Sequence, residues 1–71
     1  MTPEELKKLE KNVKKNKRLA SEQAMELHDL IEDRLPGAYQ ELMPIALATF
    51  EACKAWDEAN QALLDAQTET A

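Results

Sequence analysis

A single glycine, Gly37, stands among the 71 residues, and Leu35 and Pro36 precede it directly. The residue before a proline is pushed out of helical geometry, and the glycine beyond it weakens any continuation, so this tripeptide is a helix stop. On its N-terminal side, Thr2-Pro3-Glu4-Glu5 is a helix start: Thr2 caps, Pro3 suits the first turn, and Glu5 completes an S/T-x-x-E capping box. No further proline or glycine intervenes before Arg34. Within that stretch Leu6, Leu9, Val13, Asn16, Ala20, Gln23, Leu27 and Leu30 recur at alternating spacings of three and four, a heptad seam about four repeats long. Ala24 and Ile31 widen it. The spacing predicts one helix over residues 3–34.

Residues 35–43 are read as the turn. Pro44 cannot sit inside a helix without the loss of a hydrogen bond but fits a first turn, so a second helix is expected over 44–67. Ile45, Ala46, Thr49, Cys53, Trp56, Asn60 and Leu63 supply its three-four stripe, with Ala52, Ala59 and Ala66 on the shoulder. The expected fold is all-α: a coiled-coil-like antiparallel hairpin of two helices, with residues 1–71 as one domain. Asn16 and Gln23 are polar positions inside the first seam. Such residues either fix register and partner number or face a wetter stretch.

A chain this short buries a small fraction of its surface, and small scaffolds compensate with disulfides, a structural metal or oligomerisation. Cys53 is the only cysteine and His28 the only histidine, so neither an internal disulfide nor a Cys/His zinc site can form within one chain. Self-association remains. Two hairpins packing into a four-helix bundle is the economical solution for so wide an apolar face, as a homodimer or a larger oligomer. The residues expected at that interface are Leu6, Leu9, Val13, Leu27, Leu30, Ile31, Phe50, Cys53, Trp56 and Leu63. Leu47, Phe50 and Leu64 lie off the main seam and offer a second contact surface.

The net charge is −5, and it is unevenly spread. Residues 1–18 hold seven of the nine basic residues against three acids, whereas residues 19–71 hold two bases against eleven acids. In an antiparallel hairpin Asp57, Glu58 and Asp65 come alongside the basic start of the first helix, which accounts for the dipole without an outside ligand. Lys7, Lys11, Lys14 and Arg18 fall on one stripe, the single candidate for holding phosphates. Without an interleaved aromatic to stack on bases, the stripe reads first as the solvated side of an amphipathic helix, and the overall charge argues against nucleic acid. The N-terminus lacks the apolar core of a signal peptide and no segment approaches a membrane span, so a cytoplasmic protein with a reduced thiol is expected.

His28 and Glu32 lie one helical turn apart. Such a pair holds a divalent transition metal when another helix or subunit adds ligands; otherwise it is a surface hydrogen-bonded pair. No catalytic arrangement is present: Ser21 and Cys53 have no base assigned to them by spacing, and Cys53 is expected to be buried in the second seam as an unreactive small hydrophobe. An enzyme is not expected.

The stretch A-S-E-Q-A-M-E-L-H-D-L-I-E-D-R-L-P over residues 20–36, centred on Leu27-His28-Asp29-Leu30, resembles the short Rop-like proteins that occur beside nitrogen-fixation genes. The Lys-rich first helix, the turn ending in Pro44, Phe50 and the Asp57-Glu58-Ala59 run extend the resemblance over nearly the whole chain. It implies a helical hairpin assembling into a bundle, and a non-enzymatic accessory protein of nitrogen fixation that meets nitrogenase cofactor-assembly proteins. Members are sometimes labelled metalloproteins, and His28 is the residue that fits such a role. An RNA-binding bundle using the Lys7 to Arg18 stripe, and a purely structural homo-oligomer, are the competing expectations.

Overall fold

The computed structural model describes residues 2–70, with side chains through residue 68; residues 1 and 71, the ends of the expected domain, lie outside the described residues. Helix α1 runs Pro3–Asp29. Thr2 is extended at φ −79° and ψ 156°, and its hydroxyl accepts the Glu5 amide at 3.3 Å, which satisfies one of the free N–H groups of the first turn. Winding continues past Asp29, but as a wider π-helical turn over Leu30–Arg34, in which the Leu35 amide donates to the Leu30 carbonyl at 3.0 Å. Leu35 then turns extended, at φ −81° and ψ 150°, as a residue before proline should. Gly37 has no positive φ, and a Cβ there would meet only Arg34 O at an ordinary 3.6 Å. Leu35-Pro36 therefore stops the helix, and the glycine is not required by backbone geometry.

A 3₁₀ turn over Tyr39–Glu41 leads into α2, Leu42–Thr70. The second helix starts two residues before Pro44. That proline sits in the first turn, where its missing N–H would have had no helical acceptor in any case. The helix also continues past Gln67, the expected end. The two helices lie antiparallel in a rod of 52 × 14 × 13 Å.

The α1 seam has the predicted phase: Leu6, Leu9, Val13, Asn16, Ala20, Gln23 and Leu27 are half-buried and Leu30 is fully buried. The α2 seam is rotated from the expected one. Ala59 and Ala66 are buried and Ala52 is half-buried, so the alanines assigned to the shoulder form the centre, together with Leu42, Ile45, Thr49, Trp56 and Leu63. Cys53 is exposed, which corrects its assignment as a buried seam thiol. Small side chains on α2 let the helices approach until the large residues of α1 fill the gap, so close packing favours alanine at the centre over cysteine.

A polar contact joins the helices: the Thr49 hydroxyl lies 2.9 Å from Ile45 O on its own helix and 3.2 Å from Gln23 O on α1. Gln23 and Thr49 are therefore level. Asn16 is satisfied locally, its amide donating to Asn12 O at 2.8 Å and Asn12 Oδ1 at 3.1 Å. Among the described residues, the ion pairs are His28 with Asp29 and Glu32, and Arg34 with Glu41; none joins the lysines of α1 to Asp57, Glu58 or Asp65. Those acids are exposed on the outer side of α2, and the contact expected between them and the basic start of α1 is not made among the described residues.

Candidate functional site

Only Leu30, Ala59 and Ala66 are buried among the described residues. A seam with so little closed core is open on its flanks, and the two flanks differ. On one side Lys17, Ala20, Ser21 and Ala24 of α1 meet Cys53 and Trp56 of α2 around a shallow trough of about 320 Å³. A second hollow of about 360 Å³ adjoins it, lined by Ser21, Ala24, Met25 and His28. The trough exists because Ala20, Ser21 and Ala24 are too small to fill the space beside the Trp56 indole. That indole has its Nε1 buried without a hydrogen-bond partner among the described residues, an expense a partner acceptor or water would relieve.

Heptad spacing extends this side along the rod. Ile31 follows Ala24 by seven residues, Ala46 and Asn60 flank Cys53 by seven, and Phe50 stands three residues before Cys53. Ile31 is 54% exposed and Phe50 62%. The opposite flank carries Glu5, Asn12, Leu19, Glu26 and Asp33 from α1 and Ala48, Ala55 and Ala62 from α2, so the apolar surface is concentrated on the trough side.

The ten residues expected at an oligomer interface fall into three groups. Leu6, Leu9, Val13, Leu27, Trp56 and Leu63 are half-buried in the hairpin's own seam; Ile31, Phe50 and Cys53 are exposed, and Cys53 lines the trough. Leu30 is the correction. It lies at the start of the π-helical turn with no exposed surface in a single chain, so it has nothing to offer a second copy.

His28 and Glu32 do come together, with Nε2 3.3 Å from Oε1, and Nδ1 lies 3.8 Å from Asp29 Oδ1. All three side chains are more than half exposed. Among the described residues no group of three or more His, Cys, Asp or Glu side chains is arranged to hold a metal ion. One chain thus supplies two ligands of the four that a tetrahedral transition-metal site takes. Lys7, Lys11, Lys14 and Arg18 are exposed along α1 and line neither of the two hollows, whereas Lys17 lines the trough. Tyr39 and Met43 are exposed apolar residues outside either periodic stripe, one in the expected turn and the other at its end.

An antiparallel pair of helices with an open apolar side defines the class of small helical-hairpin proteins. Within that class the chain belongs to the Rop-like family, whose profile matches residues 4–68. The Rop-like hairpins are not a family of enzymes. Neither a curated protein nor a solved structure matches the chain significantly. Among the described residues no helix is long and apolar enough to cross a membrane.

Proposed function

We propose that this protein is a cytoplasmic, non-enzymatic adaptor whose working form is a pair of hairpins packed through their trough sides into a four-helix bundle, and that it serves nitrogen fixation as an accessory to nitrogenase cofactor assembly. The observation that carries the first part is the burial deficit: two helices of this length bury only three of the described side chains, while Ile31, Phe50 and the trough beside Trp56 stand open. Rop-like proteins are typically homodimeric, which agrees with that reading. The second part rests on the resemblance of residues 20–36 to the proteins found beside nitrogen-fixation genes.

Folding and association then share one core, so the melting midpoint should rise with protein concentration. Sedimentation equilibrium paired with melts over a hundredfold concentration range tests this; a helical monomer with a concentration-independent midpoint overturns it. Deleting the gene in its host and measuring growth on dinitrogen against growth on ammonium tests the pathway. A metal belongs to the proposal only as a bridge, with His28 and Glu32 of one hairpin completed by donors of another. Titration with nickel or zinc would then raise the oligomer fraction in the parent protein and not in His28→Ala.

A further inference from the structure

The level pairing of Gln23 with Thr49 fixes the register of the whole hairpin. It sets Met43 level with Asp29, Phe50 with Glu22, Asp57 with Lys15 and Leu64 with Lys8. It also divides the rod into residues 19–53 around the loop and the remainder around the termini. The loop half carries seven acids and one base, a net −6; the termini half carries eight bases and seven acids, a net +1. The whole net charge of the protein therefore sits at one end.

Each helix runs a repeating line along the open flank. On α1, Lys14, Ser21 and His28 follow one another by seven residues, beside Lys17, Ala24 and Ile31. Four of these six, Lys17, Ser21, Ala24 and His28, line the two hollows. On α2, Trp56, Cys53 and Phe50 step round the helix by about 60° each, from the seam outwards. Met43, Phe50, Asp57 and Leu64 therefore form the outer line of the same flank, and all four are exposed. The register interleaves the two lines. Met43 falls between the levels of His28 and Ile31, Phe50 between those of Ser21 and Ala24, and Asp57 between those of Lys14 and Lys17. Leu64 falls between Lys7 and Glu10, whose methylene stems can cover apolar surface.

Two hairpins that pack through this flank are related by a two-fold axis either across the rod or along it. Across the rod, with loops at opposite ends and the axis at mid-rod near Cys53, α1 meets α1. Lys7, Lys14 and Lys17 then lie over Ile31, Ala24 and Ser21, and on α2 Asp57 lies over Phe50, so each charge is laid on an apolar or small residue. Along the rod, with both loops at one end, levels are kept and α1 of one hairpin meets α2 of the other. Phe50 then faces the gap beside Ser21 and Ala24, and Asp57 faces Lys14 and Lys17. None of the seven acids of the loop half belongs to either line, so their mutual repulsion acts only across the screened outer sides. We propose that the hairpins pair with both loops at the same end, Phe50 of each copy filling the trough of the other and Asp57 of each lying against Lys14 and Lys17 of the other. The trough beside Trp56 is thus half of a site that a second copy completes. The inference rests on the paired-hairpin form and adds its direction and its contacts.

The test places a nitroxide label at Gly37→Cys of the full-length protein in the Cys53→Ser background and reads the distance between copies by pulsed electron resonance. Gly37 accepts the change, because its φ is not positive and a Cβ there has room. Gln40→Cys, also exposed near the loop, is a second labelling position. Loops at the same end should bring the labels within about 30 Å, the width of a four-helix bundle with its side chains. Loops at opposite ends would hold them apart by nearly the 52 Å length of the rod. By sedimentation equilibrium, Phe50→Ala and Asp57→Lys should each weaken pairing about tenfold, and Lys14→Asp added to Asp57→Lys should recover most of the loss. Among the described residues no ion pair joins Lys14 to Asp57 within one chain, so such a recovery is made between copies. A dimer with the labels at opposite ends overturns the same-end pairing and leaves the paired-hairpin form standing, and so does a dimer unaffected by Phe50→Ala and Asp57→Lys. A monomer at every concentration overturns both.

Discussion

The two helices line their common seam with different side chains. α1 contributes leucines and a valine, followed by the fully buried Leu30 at the start of the π-helical turn, whereas α2 contributes Ala52, Ala59 and Ala66 in alternation with Trp56 and Leu63. Large residues on one helix facing small ones on the other bring the backbones close, and the Thr49 hydroxyl within 3.2 Å of the Gln23 carbonyl marks that approach. Stability should therefore respond in opposite senses at the two kinds of seam position: loss of volume hurts at the α1 leucines, and gain of volume hurts at the α2 alanines.

Leu30→Ala should have the largest effect. It empties the one fully closed site, and a cost toward the upper end of ~2–5 kcal/mol is expected, read as the shift of the urea midpoint. A shift no larger than that of an exposed leucine would show that the tip is not where the hairpin is held. Trp56→Ala comes next. A buried aromatic costs ~3–5 kcal/mol when truncated, and its half-exposed position lowers this to about 2–3 kcal/mol, while Lys11→Ala on the solvated side should stay within about 0.5 kcal/mol. Coincident thermal melts of these two variants would refute the seam. Ala59→Leu reverses the sense: the added volume in α2 should destabilise by about 1–3 kcal/mol, whereas a stabilised variant would mean that the helices have room to spare. The smallest change is Thr49→Val, which keeps the shape and removes the hydroxyl; about 0.5–1 kcal/mol is expected, with Thr49→Ser restoring part of it, as measured by equilibrium denaturation.

The same contrast explains what was legible in the sequence. Leucine and valine declare a buried face, so the phase of the first seam could be read from their spacing alone. Alanine suits a buried or an exposed position equally, and the larger Cys53 and Asn60 drew the second stripe roughly a tenth of a turn from its true line. The hairpin followed from Leu35-Pro36, but the π-helical turn over Leu30–Arg34 did not, since no local propensity in L-I-E-D-R distinguishes an i−5 from an i−4 hydrogen bond; closure of the tip decides it. His28 and Glu32 were legible as a pair because one helical turn fixes their distance. The acids and bases were countable from the start, yet their division between two ends needed the register that Thr49 and Gln23 provide.

That division acts before any contact is made. At physiological ionic strength a charge is felt over about 8 Å, so a rod 52 Å long spans roughly six screening lengths, and its two ends are electrostatically strangers to each other. A cationic body diffusing past the termini meets a surface of almost no net sign; near the loop it meets a strong attractive field that both draws it in and turns the rod. Collisions with a cationic body are thereby biased by orientation towards the loop end.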